Sequence, residues 1–156
     1  MKKLLLLLTL ITTMISFVGC QKDTETAQNI SLSEIQNKII PIANLKNAEF
    51  KNLTDINTAQ SYGISKDDIE EGFVYSTTDE NSDKIILVKA KGGPSTENVE
   101  KAIANEISSL ISSWEDNSAE TEKLKNHVLK TKDDYVLLAI CENSDKIEKE
   151  FDNFFE

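Results

Sequence analysis

The order strand, strand, helix occurs twice in the second half of the chain, and this restricts the fold more than any other feature. "FVYSTT" at residues 73–78 and "KIILVKA" at 84–90 are rich in β-branched and aromatic residues and flank the turn-forming "DENSD", the pattern of a hairpin. "HVLKTK" at 127–132 and "YVLLAIC" at 135–141 flank Asp133-Asp134, which fits a two-residue turn. After the first hairpin, Gly92, Gly93 and Pro94 break the strand. Ser95 then reads as the cap of a long helix in which Val99, Ile103, Ile107, Leu110 and Trp114 recur at helical spacing. After the second, "SDKIEKEFDNFF" turns Ile147, Phe151 and Phe154 or Phe155 toward one side. "VEKAI" at 99–103 and "IEKEF" at 147–151 occupy matching places in the two units. The expected architecture is α+β: an antiparallel sheet of about four strands in two hairpins, with helices packed on one face to cover its apolar side.

A helical segment precedes this ββα-ββα order. In "SLSEIQNKIIPIANL", Ser31 and Glu34 have capping-box spacing, and Ile35, Ile39 and Ile42 share a face. Pro41 removes a backbone donor and should end or kink the helix. "TDINTAQSYG" predicts a short helix stopped by Gly63, "SKDDIEE" an acidic turn, and "TEKLKN" a short helix before the second hairpin.

The first twenty residues concern location rather than fold. "MKK" is followed by 15 largely apolar residues, Leu4 to Val18, interrupted by Thr9, Thr12, Thr13 and Ser16. A bilayer-spanning helix needs about 20 apolar residues; a positive start, a shorter apolar stretch and a small residue at its end instead form a secretion signal. The stretch ends at Phe17-Val18-Gly19-Cys20, which resembles the bacterial lipobox, with Phe17 in place of the usual leucine. The resemblance implies a diacylglyceryl group on the thiol of Cys20 and cleavage before it. Each buried CH₂ contributes about 0.8 kcal/mol and stable anchoring takes two chains, which one diacylated cysteine carries. Residues 1–19 are thus read as a lipoprotein signal peptide and residues 20–30 as the lipidated cysteine and a flexible tether. That tether reaches on the order of 17 Å. Residues 31–156 are read as a single domain.

Charge narrows the partners. All 17 basic residues are lysine, and without Lys2 and Lys3 the remaining 15 face 27 acidic residues. Such a surface opposes nucleic acid, whose binding depends on neutralising phosphates, and holds the domain off an anionic leaflet. With Cys20 lipidated, Cys141 has no partner, so a disulfide framework is excluded.

Three stretches carry most of the chain's resemblance to a known family: "SYGISKDDIEEGFVY", "DKIILVKAK" and "EKLKNHVLKTKDDYVLLAICENSDKIEKEFDNFF". The chain resembles small lipoproteins of Gram-positive bacteria catalogued as domain of unknown function 4358. Members show a Tyr-Gly-Ile turn, an acidic segment, and a Tyr-Val-Leu-Leu strand followed by a helix ending in aromatics. The "GGPS" loop replaces a commoner short acidic connection, and Asp133-Asp134 a usual Gly-Asn turn. The resemblance implies lipoprotein status and supplies no catalytic residues.

Candidate reactive groups are few. Cys141 and His127 form the one thiol–imidazole combination available for nucleophilic catalysis. A two-residue turn at 133–134 would set His127 opposite Ile140, so alternation along the strands puts His127 and Cys141 on different sides of the sheet. Asp79, Asn81 and Asp83 stand at the spacing of the first three ligands of a calcium loop. Lys84 and Ala90 replace its glycine and its bidentate glutamate, so the stretch reads as a solvated hairpin tip. "KGGPSTE" offers helix-terminal amides to an anion but lacks a P-loop ending. Asp67-Asp68 and Glu70-Glu71 read as a solvated acidic face, and Trp114, Phe151, Phe154 and Phe155 as core. No catalytic residue, cofactor or firm metal site is expected. The sequence thus points to a membrane-anchored extracytoplasmic lipoprotein on the outer face of the cytoplasmic membrane. Its expected role is a non-enzymatic interaction module that meets another envelope protein or a cationic ligand through sheet surface left bare by helices. The alternative is a small extracytoplasmic enzyme or solute-binding protein built on a carboxylate site.

Overall fold

The structure, a computed structural model, describes residues 30–77 and 81–156. The expected signal peptide, Cys20, the tether up to Asn29, and Asp79 lie outside the described residues. In chain order the elements are α1 (Leu32–Ala43), β1 (Glu49–Asn52), α2 (Ile56–Ser61), a single 3₁₀ turn (Lys66–Asp68), β2 (Ile69–Ser76) and β3 (Lys84–Ala90). They continue with α3 (Pro94–Ser113), α4 (Ser118–Lys125), β4 (Val128–Lys132), β5 (Tyr135–Ile140) and α5 (Ser144–Asp152). Among these residues no helix is long and apolar enough to cross a membrane.

Both hairpins form as expected. Lys132 pairs with Tyr135 across Asp133-Asp134, with Asp133 at φ 48° to match the strand twist. The sheet has five antiparallel strands rather than four, in the order β1-β2-β3-β5-β4. The additional strand is β1, an edge strand of four exposed residues. β2 also begins earlier than expected, taking in the Ile69–Glu71 stretch that reads as a turn in sequence.

The second correction concerns the layers: helices cover both faces of the sheet. Ile86 and Val88 of β3 and Val136, Leu138 and Ile140 of β5 pack with Val99, Ile103 and Ile107 of α3 and Leu124 of α4. Their alternate neighbours Ile85, Leu87, Leu137 and Ala139 pack with Ile35 and Ile39 of α1 and Ile147 and Phe151 of α5. The physical reason is in the strands. A sheet covered on one side needs alternating apolar and polar residues, whereas an unbroken apolar run must be covered on both. Residues 85–88 and 136–140 are fully buried without exception, and each such side chain contributes roughly 1.5–3 kcal/mol. Both faces of the central strands β3 and β5 are therefore covered, and the sheet surface left exposed includes that of the edge strand β1.

Local signals set the helix ends. Glu34 accepts the amide of Ser31 at 3.4 Å, half of the capping box. Pro41 sits in the last turn of α1, which runs on only to Ala43 before Asn44 takes a left-handed conformation. Asn143 Nδ2 donates to the Ile42 carbonyl at 3.1 Å, and the Tyr135 hydroxyl donates to the Ile30 carbonyl. Both ends of α1 are thereby fastened to the second hairpin unit. Gly63 follows α2 at φ 67° with open space around it, so conformation, not crowding, calls for glycine there. α3 is capped by Gly93 with Pro94 in its first turn, not by Ser95 as expected, because proline's fixed φ suits the first helical position.

Candidate functional site

A cleft of about 300 Å³ opens where the β2–β3 connection meets the ends of α2 and α3. Tyr62, Ser76, Ser82, Lys84 and Trp114 line it, with Lys51 of β1 at its rim. Each arrives by a local rule. Tyr62 is the residue on which α2 ends, and Gly63 turns the chain away behind it. Trp114 ends α3, its carbonyl accepting the Asn117 amide at 2.9 Å and the Thr121 hydroxyl at 2.9 Å. Ser76 closes β2 and Lys84 opens β3 as cross-strand partners.

The charges in this region are neutralised in place. Lys84 Nζ lies 2.5 Å from Glu106 Oε1 and 5.2 Å from the centre of the Tyr62 ring. Burial, reinforced by the charge of Glu106, pushes the Tyr62 phenol above its ordinary value of 10.0, so it stays a neutral hydrogen-bonding group. Ser82, only 2% exposed, donates its amide and its hydroxyl to Glu120 Oε2. Lys123 Nζ bridges Asp83 at 2.7 Å and Glu120 at 3.1 Å. Burial pushes the Glu120 carboxyl upward, but the two Ser82 hydrogen bonds and the Lys123 ammonium outweigh it and hold the group below its ordinary value. Burial likewise pulls the Lys123 ammonium down, and its bonds to Asp83 and Glu120 more than reverse this. Such an arrangement offers hydroxyls, an aromatic edge and fixed dipoles to a small polar ligand. It does not offer a free carboxylate for acid–base work, since Asp83, Glu106 and Glu120 are each bound to a lysine.

The residues singled out in sequence fall around this cleft unevenly. Asn81 Oδ1 accepts the Thr77 hydroxyl at 2.5 Å and the Asp83 amide at 2.9 Å. Asn81 and Asp83 therefore brace the hairpin connection, and among the described residues no group of three or more His, Cys, Asp or Glu side chains is placed to hold a metal ion. Within the described part of the connection Ser82 is not solvated, being buried and bonded to Glu120 of α4, while residues 78–80 lie outside the described residues. The amides at the start of α3 are flanked by the protein's own acids. Ser95 Oγ donates to Asp68 Oδ1 at 2.7 Å, Asn98 Nδ2 to Asp68 Oδ2 at 3.2 Å, and Thr96 Oγ1 to Asp134 Oδ1 at 3.2 Å. Glu70 pairs with Lys89 at 3.0 Å.

His127 and Cys141 both border one shallow depression, contrary to the expectation of opposite sides. β4 starts after His127 and β5 stops before Cys141, so strand alternation does not govern either. They do not form a dyad: His127 Nδ1 lies 2.6 Å from the Leu124 carbonyl, and burial pushes the Cys141 thiol above its ordinary value. Trp114 serves both as core and as cleft wall, while Phe151 is fully buried and Phe154 and Phe155 pack partly buried beside it. Sequence reasoning missed Ser82, Lys84, Glu106, Glu120 and Lys123. Tyr62 alone carried a signal, through the Tyr-Gly-Ile turn.

The family model described as "Domain of unknown function (DUF4358)" matches residues 43–141, from the last residue of α1 to the residue after β5. This span holds all five strands and every side chain of the cleft. No curated protein and no solved structure matches the chain.

Proposed function

Since the chain belongs to the family described as Domain of unknown function (DUF4358), we propose that it is a lipid-anchored extracytoplasmic binding module whose ligand site is the cleft beside Tyr62 and Trp114. The observation that carries the binding role is the state of the cleft's charges. Lys84 is held by Glu106, and Lys123 by Asp83 and Glu120, so the site is preorganised and each of these charges has a partner of opposite sign. A rigid set of hydroxyls and dipoles binds by matching a ligand's hydrogen bonds, and its volume suits a small one. Support for the anchor is the Gly19-Cys20 boundary after the apolar leader. The acidic surplus of the chain supports a domain held clear of an anionic leaflet and partners that are not nucleic acid.

Trp114 is the sole tryptophan, so its fluorescence reports on the cleft directly. Titration with small polar components of the cell envelope should shift its emission and raise the melting temperature, and Lys51→Ala at the rim should weaken both effects. A component that raises the melting temperature while Trp114 emission stays unchanged would move the site elsewhere. The anchor is tested separately by labelling cells with palmitate. The parent chain should take up label and Cys20→Ser should not; equal labelling overturns the anchoring.

A further inference from the structure

We infer that the protein forms a two-fold dimer through the open edge of β1, joining two five-stranded sheets into one. β1 lies at the end of the strand order, its four residues are all exposed, and Phe50 is 51% exposed while stacked on Tyr75 and edge-on to Phe73. The opposite edge is managed differently. Lys130 and Lys132 of β4 are drawn onto Glu148 and Asp152 of α5, which packs beside that strand.

The backbone of β1 defines the register. The Leu53 amide donates to the Gly72 carbonyl at 3.0 Å. Opposed residues in an antiparallel ladder alternate between bonded and non-bonded pairs. Given the pairs Lys51↔Val74 and Phe50↔Tyr75, the bonded residues facing β2 are Leu53 and Lys51. Phe50 and Asn52 therefore direct their amides and carbonyls to the open edge. A two-fold axis perpendicular to a continuous sheet keeps each face on its own side, so it must pass between a residue and its own copy. Centred on Phe50, it pairs two outward-facing backbone groups reciprocally and sets the two Phe50 rings side by side. It also places Glu49 opposite Lys51 twice. Centred on Lys51, it would oppose two ammonium groups. Aromatic and opposite-charge cross-strand pairs stabilise a sheet and like charges destabilise it, so β1 is complementary to itself in one register. Among the described residues neither Glu49 nor Lys51 has an ion-pair partner within its own chain. Four residues make a small contact that belongs with weak, transient interfaces. Holding the chains on one surface would raise their effective concentration. The inference rests on the geometry of β1 and shares only Lys51 with the cleft, and the Phe50→Cys and Asn52→Cys comparison leaves that residue untouched.

The test uses the full chain in the membranes of cells that produce it. It employs a bifunctional thiol reagent no longer than the roughly 5.5 Å between directly bonded residues. Phe50→Cys should cross-link to itself. Asn52→Cys should not, because its copies stand four residues apart along the strand, about 13 Å. The parent chain, with Cys20 and Cys141 alone, gives the background. Adding Glu49→Lys to Phe50→Cys should abolish the product, and adding Lys51→Glu as well should restore it. All four positions are exposed, and circular dichroism verifies that each variant folds. With Phe50 intact, sedimentation of the detergent-solubilised chain should show the same loss and recovery of dimer with the charge reversals. Equal cross-linking at positions 50 and 52, or indifference to Glu49→Lys, overturns the dimer.

Discussion

Ser82 donates both its backbone amide, at 2.8 Å, and its hydroxyl, at 2.6 Å, to one carboxylate oxygen of Glu120, 38 residues away. This pair fastens the β2–β3 connection to α4. Ser82 is nearly inaccessible to water, so losing Glu120 leaves two buried donors unmatched and removes one of the two anions beside Lys123. Hydrogen bonds to charged groups contribute about 1.5–3 kcal/mol, and orphaned buried groups cost the same order. Glu120→Ala should therefore destabilise the domain by about 2–3 kcal/mol. In urea this should lower the transition midpoint at constant slope. Glu122→Ala, two residues along the same helix and exposed, should change stability by no more than about 0.5 kcal/mol.

The same carboxylate predicts a pH dependence. Its folded pKa lies below the ordinary value of 4.5. A group depressed in this way stabilises the fold fully above its unfolded pKa, and the contribution disappears as pH falls through the lower folded value. The stability gap between the parent and Glu120→Gln should be constant from neutral pH down to about 5.5. It should narrow progressively below 4.5. Urea titrations across this range measure it; a gap that widens toward acid would reverse the assignment.

What was legible in sequence follows from which forces are periodic. Turn chemistry alone gave the Lys132↔Tyr135 register, and helical spacing gave Val99, Ile103 and Ile107 as core. β1 was illegible because Glu-Phe-Lys-Asn has one apolar residue and owes its pairing to the neighbouring β2. The double layer was visible but misread: unbroken apolar runs at 85–88 and 136–140 cannot serve a sheet with one dry face. The cleft was beyond reach for a different reason. Ser82–Glu120, Lys84–Glu106 and Lys123–Asp83 join residues 22 to 40 positions apart, and polar contacts across such distances leave no period in the chain.

Gly72 supplies a prediction that its sequence neighbourhood does not announce. A Cβ built there would lie 3.0 Å from the Leu87 carbonyl oxygen and 3.3 Å from Leu53 Cδ1. Leu87 is backbone of the adjacent strand and cannot yield without breaking the ladder. Gly72→Ala should cost about 1–3 kcal/mol through overpacking, read as a lower melting temperature. An unchanged or raised value would mean that β2 and β3 separate readily at this point.

Calcium offers a test of the Asp79, Asn81 and Asp83 spacing. Asn81 Oδ1 already accepts two hydrogen bonds, and Asp83 is bound to Lys123. A cation would have to displace an ammonium and a buried network to gain these oxygens. Millimolar calcium should leave the melting temperature unchanged. Saturation at a hundred times a dissociation constant would add about 2.7 kcal/mol, a shift that calorimetry resolves easily.

Cys141 should behave as a core residue rather than a reactive thiol. It is 6% exposed. Burial pushes its pKa up, and although the Asn143 amide and the Ser144 hydroxyl pull the other way, burial prevails. The Ser144 hydroxyl also bonds the Cys141 carbonyl at 2.8 Å and the Cys141 amide at 3.1 Å, closing the turn around the sulfur. Since the thiolate is the reacting species, modification at pH 7 must wait for local opening of the segment between β5 and α5. Labelling of Cys141 by a maleimide in the native protein should be slow. It should accelerate in urea along the unfolding transition, and Ser144→Ala should hasten it in the native state by loosening the turn. Labelling as fast as that of an exposed cysteine would show that the thiol is accessible and would reopen the question of its pairing with His127.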